Sequence, residues 1–528
     1  MPAPANHECL SAGDALFLHL ERAGMPLHMA SVCIFAGAIS HSDCLAYVDS
    51  KLPLLPRYRQ HVVLPPLAIG VPTWQFDPDF DLRNHVREIR LHNAGDGDLR
   101  RVASALLSVP MDRRRPLWDL TLISGLRGDR TAVIARVHHC LADGISGVGI
   151  LRLMMEETPV VPRLLRRPQP FQPPRPVDST TQLLDGIVTA CFTAVDRMLT
   201  AQSELLNFAE HITAAMKSGS VPPNSNGAAP HAPEVLQLFP ELATPTQRLP
   251  FNVVCRGPQK FQWTELPLAD IKALKRHFAV TVNDVVLYLI AATVRRYAEL
   301  HGVSTRGRLL RIVVPVSVRN HDEANQLGNR ITFVPVTIPL GVRIARRLLL
   351  AIHQRTTALK SAHVAEVVGL AGTLLGVIPT AFQAMVGPIA SQLPLNVCNL
   401  ICTNVPGPQA PLYLLGHKML SFYPYVPIGG EMGMNCAVLT YNGTAYFGFT
   451  GDAHAVPDIA LLPKFLQMSF AELQRSAGFA PPRAAKKPPK VAEADVALPS
   501  RRRARQRPAR PDRPAAESQP LAAAAAAD

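Results

Sequence analysis

The chain has 528 residues, 48% of them hydrophobic, and Lys plus Arg exceed Asp plus Glu by 14. That length excludes a single core and leads us to expect two domains with appendages. Nine scattered cysteines without C-x-x-C spacing exclude a disulfide framework and a structural zinc site, so a reducing cytosol fits.

The N-terminus "MPAPANHECLSAGDALFLHLE" has no basic region ahead of an apolar run and does not read as a secretory signal. Residues 1–158 read as mixed α/β. "SVCIFAGAI" and "TAVIARVH" have strand character, and "DLRRVASALLSV" has helical spacing. Residues 159–244 follow as a linker and helical crossover. Its first part, 159–176, carries seven prolines and four arginines with no acid. Apolar residues from Leu183 to Met216 then recur at helical spacing, either as a face packed on a neighbouring domain or as a lipid-facing stripe. Residues 217–234 form a second loop.

Residues 245–478 make a second α/β region. "NDVVLYLIAATVRRYAEL" reads as a helix, and "LLRIVVPVSVR" and "ITFVPVTIPL" as strands. Val367 to His417 holds no Asp, Glu, Lys or Arg, yet Pro379, Pro388 and Pro394 interrupt it, so buried packing or shallow lipid contact is expected rather than a membrane span. Residues 479–528 read as a disordered basic tail of Pro, Ala and Arg. Eleven Lys/Arg against five Asp/Glu lie in 481–528, so much of the basic excess belongs there. Nucleic acid is therefore not the expected partner.

The stretch "RVHHCLADGISG", residues 136–147, carries the chemistry. "TAVIARV" delivers His138 and His139 to the end of a strand, Asp143-Gly144 makes a turn, and a helix follows. Consecutive strand side chains point to opposite faces, so only one histidine can face a given cleft. This counts against both binding one metal. A helical His139–Asp143 pair is broken by Gly144 and has no third ligand, so no metal is expected.

His138-His139-Cys140-Leu141-Ala142-Asp143-Gly144 matches the HHxxxDG signature of coenzyme A-dependent acyltransferases. "LSAGDALFLHLE", "FDPDFDLRNHV", "PMDRRRPLWDL", "TVNDVVLYLIAA", "VPVSVR", "LGNRITFVPV" and "TNVPGP" follow in family order. To about residue 475 the chain resembles the bacterial wax ester synthase and diacylglycerol acyltransferase family. The resemblance implies an α/β fold of two chloramphenicol-acetyltransferase-like subdomains, each a mixed sheet flanked by helices, with the active-site channel between them. His139 would be the general base, since imidazole titrates near working pH and a bare alcohol is a poor nucleophile. It would pass the proton to the departing CoA sulfur without an acyl-enzyme. His138 would pack and position.

Asp143 either orients His139 or, as the resemblance implies, pairs with an arginine that holds the loop, for which Arg319 is the candidate. Gly144 frees the turn, and Gly147 and Gly149 permit close helix packing. Asn283 stands where a helix begins and either stabilises the oxyanion or caps the helix, as Thr281 also could. The resemblance implies a role in the site for the Asn283-Asp284 pair. Trp118 would be core and shape the channel, and Asn404 opens a turn near the site. Asn252 stands where the family more often has Asn-Gly, a departure in local contacts.

Long-chain acyl-CoA is the expected co-substrate, with no bound cofactor. The acceptor would be diacylglycerol first and a fatty alcohol second. Both partition into lipid, so the enzyme would be cytoplasmic, in peripheral contact with the inner membrane face or lipid inclusions. Two alternatives stand beside this: a carrier-protein-dependent condensation-type acyltransferase, and an inactive lipid- or nucleic-acid-binding protein.

Overall fold

The computed structural model describes residues 8–65, 71–141, 154–160, 246–317, 331–361 and 398–479. The expected linker and crossover, the tail, and the apolar stretch 367–397 lie outside the described residues. So do Asp143, Gly144, Gly147, Gly149 and Arg319.

In chain order the first part runs β1 (Glu8–Cys9), α1 (Ala12–Leu20), β2 (His28–Ala36), α2 (His41–Lys51), β3 (Gln60–Val63), β4 (Thr73–Phe76), β5 (Val86–Ala94), α3 (Asp96–Leu107), β6 (Trp118–Leu126) and β7 (Arg130–His138). The second part runs β8 (Gln259–Pro267), α4 (Leu268–Phe278), α5 (Val282–Leu300), β9 (Leu309–Ser317), β10 (Ile331–Pro339), α6 (Ala345–Ser361), β11 (Leu400–Pro406), β12 (Tyr413–Leu414), β13 (His417–Tyr425), β14 (Met434–Tyr441), β15 (Thr444–Asp452) and α7 (Leu462–Ser476).

Two six-stranded mixed sheets carry the architecture, in the orders β12-β13-β2-β7-β6-β5 and β10-β9-β11-β14-β15-β8. A small sheet, β1-β4-β3, stands apart. The alternation in "TAVIARVH" becomes β7, which pairs antiparallel with β2 from His138↔His28 to Arg130↔Ala36. "ITFVPVTIPL" becomes β10, antiparallel to β9 throughout.

The sheets do not follow the division of the chain at 245. Strand β13, far into the second region, pairs with β2 and completes the first sheet. Nothing local in the sequence announces this, because the pairing spans nearly four hundred residues.

Each sheet has its own core. Phe35, Tyr47, Leu99 and Ile134 are fully buried in the first, and Tyr288, Tyr297, Ile312 and Phe447 in the second. Helix α5 is apolar almost all round because it is buried almost all round, from Asp284 to Ala298. Among the described residues no single helix is long and apolar enough to cross a membrane; α4 and α5 reach the length only as a pair bent by 102°.

The sheets meet closely where β15 passes β13. A Cβ on Gly448 would stand 1.9 Å from the Pro424 carbonyl oxygen, so only glycine fits there. Helix α3 braces the joint: the Ser104 and Ser108 hydroxyls accept from the Phe261 and Gln259 N–H groups of β8, each at 2.9 Å.

Candidate active site

One apolar cavity of about 970 Å³ reaches residues of both sheets, and it brings His139, Asn283, Trp118 and Asn404 into its lining. Strand parity explains His139. On β7 Val133, Ala135 and Val137 line the cavity, with Arg136 also at its border, and His139, just past the strand's end and next in the alternate-residue period, continues the row. His138 turns the other way and is fully buried.

The His139 ring stacks on Phe17 of α1, with centroids 4.3 Å apart and planes within 7°. Its backbone N–H donates to the Leu27 carbonyl at 3.0 Å. Burial pulls its imidazole from 6.5 down to about 4, and neighbouring His138 acts in the same direction. The ring is therefore neutral at pH 7, the form that accepts a proton.

His138 is held on both sides. Its Nδ1 accepts the Cys140 N–H at 3.2 Å and lies 3.0 Å from the Cys140 thiol. An Nδ1 that accepts leaves the proton on Nε2, which faces the Glu21 carboxylate at 3.4 Å. Nothing in the sequence marks Glu21, since a charge at a helix end reads as solvated. Here its side chain is 3% exposed. It accepts the Leu27 N–H at 2.9 Å and the Arg113 guanidinium at 2.9 and 3.2 Å. Burial works to raise the Glu21 pKa, but His138, Leu27 and Arg113 outweigh it and hold the carboxyl at about 2. Leu27 thus gives its N–H to Glu21 and takes the N–H of His139, which ties the carboxylate to the position of the base.

His28 lies opposite His138 and is fully buried; burial, then Arg136 and His138, push its pKa well below 6.5. Its ring stacks on Tyr425.

Trp118 is core, as expected, and borders the cavity. Its indole N–H donates to the Tyr58 carbonyl at 2.7 Å, and its ring stacks on His85 at 4.8 Å. The next residue, Asp119, takes the Nε of buried Arg136 at 2.9 Å and the Arg87 guanidinium at 2.8 Å.

At the start of α5 the two roles open to Asn283 separate. Thr281 is the cap: its hydroxyl accepts the Asp284 N–H at 3.1 Å, and Asp284 accepts the Thr281 N–H at 2.8 Å. Asn283 is left to face the cavity, where Asn404 Nδ2 lies 3.4 Å from its Oδ1. Fully buried Asp284 also accepts the Thr356 hydroxyl at 2.7 Å and faces His353 Nδ1 at 2.8 Å, joining α6 to the head of α5. Burial works to raise its pKa, and these hydrogen bonds lower it overall.

Asn252, beside the departure from Asn-Gly, is buried and donates to the carbonyls of Asn399 at 2.8 Å and Glu431 at 3.2 Å. It serves the second sheet's framework and does not line the cavity. Among the described residues no cluster of His, Cys, Asp and Glu is arranged to hold a metal.

Two family models match the chain: the wax ester synthase/diacylglycerol acyltransferase catalytic domain over residues 10–286 and the corresponding C-terminal domain over 327–474. Among curated proteins, the chain is 26% identical over 482 residues to a probable diacylglycerol O-acyltransferase (tgs1) of Mycobacterium tuberculosis, covering 89% of this chain and 96% of that one. It is 29% identical over 473 residues to a putative diacylglycerol O-acyltransferase of the same species, covering 87% and 88%. The fold is similar to that of the wax ester synthase/diacylglycerol acyltransferase from Marinobacter aquaeolei VT8, with a TM-score of 0.60 at 23% identity, over 89% of this chain and 100% of that one. It is also similar to the first condensation domain of the CDA synthetase, with a TM-score of 0.53 at 15% identity over 90% and 97%. With two sheets meeting at a shared cavity and both family models matched in order, the chain belongs to the wax ester synthase/diacylglycerol acyltransferase family and is an acyltransferase.

Proposed function

We propose that this enzyme transfers a long-chain acyl group from acyl-CoA to the hydroxyl of diacylglycerol, and also to fatty alcohols, with His139 as general base and no acyl-enzyme. The observation that carries the reading is His139 at the end of the row Val133–Ala135–Val137, neutral, in the wall of an apolar cavity that also presents Asn283. His139 takes the hydroxyl proton as the oxygen attacks the thioester carbonyl. The carbon–sulfur bond then breaks, and the proton goes to the departing thiolate to give free coenzyme A. Asn404 engages the Asn283 carbonyl oxygen, which leaves the Asn283 amide N–H groups as donors to the oxyanion.

His138, Glu21 and Arg113 hold the base in place without touching substrate, and Asp284 does the same for Asn283. For Asp143 and Gly144, and for Arg319 as the candidate partner of Asp143, the roles that the resemblance implies are kept. Because the acceptors dissolve in lipid, we place the enzyme at the inner membrane face or on lipid inclusions, with basic segments meeting anionic headgroups.

The test offers the purified protein palmitoyl-CoA with either diolein or hexadecanol and follows ester formation and thiol release together. Ester from diolein supports the reading. Thiol release without ester, or turnover only with an acyl-carrier protein, refutes it in favour of hydrolysis or condensation-type transfer.

A further inference from the structure

Phe17 touches the proposed base and takes no proton itself. It sits on α1, whose start Ser11 caps by accepting the Asp14 N–H at 3.0 Å. Ala15 and Leu18 turn into the first core, Leu16 is 39% exposed, and Phe17 lines the cavity. The helix end is fixed twice: the Phe17 carbonyl accepts the Glu21 N–H at 3.2 Å, and the Leu18 carbonyl accepts the Arg113 guanidinium at 2.8 Å. Glu21 in turn reaches His139 through Leu27, so one connected frame sets both the phenyl face and the imidazole. The outcome is two rings with centroids 4.3 Å apart and planes within 7° of parallel.

We infer that Phe17 is a positioning residue for the reaction: its π face holds the His139 ring in plane and stabilises the imidazolium that the ring becomes while it carries the hydroxyl proton. The inference rests on the proton transfer proposed above. Burial works against a charge on this imidazole, which is why the ring is neutral at rest. The same burial opposes the reaction, because the ring must hold a positive charge from the moment the alcohol loses its proton until the thiolate receives it. An aromatic face carries a negative quadrupole, and a cation within about 6 Å of its centroid is attracted to it, most strongly where water is excluded. Neutral imidazole gains only dispersion and stacking from that face. The contact is therefore stronger in the transition state than at rest, which is the condition for it to raise a rate. Nearby carboxylates are already engaged. Glu21 is held by Arg113 and faces His138, and Asp119, the carboxylate among the described lining residues, is held by Arg136 and Arg87.

The test replaces Phe17 site-specifically by 4-fluoro-, 3,4,5-trifluoro- and pentafluorophenylalanine, which nearly keep the ring's shape while draining its face of electron density. Phe17→Leu, which removes the face, is made beside them. Single-turnover ester formation is followed at pH 7 with saturating palmitoyl-CoA and diolein, with half-saturating concentrations and melting temperatures taken alongside. The rate is expected to fall stepwise with fluorine count, by about five- to thirtyfold at pentafluorophenylalanine, while half-saturation and melting temperature move little. Phe17→Leu should lower it by a similar factor. The fluorinated proteins keep the test decisive should the leucine variant not fold. A flat rate across the folded fluorinated series overturns the inference, as does a loss that follows half-saturation or melting temperature instead of fluorine count, since that marks packing alone. Wild type that makes no ester, or His139→Ala that keeps full activity, would overturn the transfer reading and this inference with it. An active, His139-dependent wild type with a flat series overturns only the part given to Phe17.

Discussion

Replacing Glu21 by glutamine removes a charge from a side chain that is only 3% exposed while keeping its shape. The amide oxygen can still accept the Leu27 N–H, but Arg113 and His138 lose an anion. Arg113 is 39% exposed and regains water, so the cost is below the ~3–5 kcal/mol of breaking a wholly buried pair. The titration gives a second route to the magnitude. A carboxyl held at about 2 rather than 4.5 contributes roughly 3 kcal/mol to stability above pH 4.5. Because the folded value is the lower one, that contribution is lost as pH falls from 4.5 towards 2. Glu21→Gln is thus expected to be about 2–3 kcal/mol less stable at pH 7, a drop in Tm of about 2–3 °C for a cooperative unit of this size. The gap to wild type should narrow as the pH is lowered below 4.5. Thermal melts followed by circular dichroism at pH 7, 5 and 3.5 check this, with kcat measured in parallel because Leu27 also receives the His139 N–H. Coincident melts at pH 7, or a gap that ignores pH, would refute the assignment of Glu21 as an anionic anchor.

His139→Ala should lower kcat by about 10²–10⁴ with Tm nearly unchanged; full activity in the folded variant would remove it as the base. In wild type, kcat/KM with a short soluble acyl-CoA should stay level from pH 8 to about 5 and fall only near 4, as protonation consumes the neutral imidazole. An acid limb near 6.5 would contradict a buried, neutral base. Asn283→Ala should cost about 10²–10³ in kcat and leave the Thr281 cap intact, so a large loss in Tm would mark it as structural. Asp284→Ala should act first on stability, costing about 3–4 kcal/mol because the Thr281 N–H and the Thr356 hydroxyl lose a buried acceptor, and should lower kcat with it as Asn283 loses its support; denaturant titration reads the stability loss directly.

The elements with one buried face are legible in the sequence. Alternation in residues 131–138 marks β7, and the same parity sends His139 to the cavity and His138 to the opposite face. Helix α3 shows its face through Leu99, Ala103 and Leu107 at helical spacing. Polar residues whose partners come from distant segments are not legible. Glu21 meets Arg113 across some ninety positions, and Asp284 meets Thr356 across seventy-two. Nothing beside either residue announces the partner. The choice between Thr281 and Asn283 as cap is likewise open in the sequence, since both types cap well and only the backbone register separates them.

The insertion of β13 beside β2 has a consequence for biogenesis. Until residue 425 has left the ribosome, β2 presents a bare edge, and the N-terminal half waits through most of translation with its hydrogen-bonding groups open to any extended peptide nearby. The polypeptide therefore cannot mature one lobe at a time, and expressing the two halves as separate soluble fragments should fail unless they are made together.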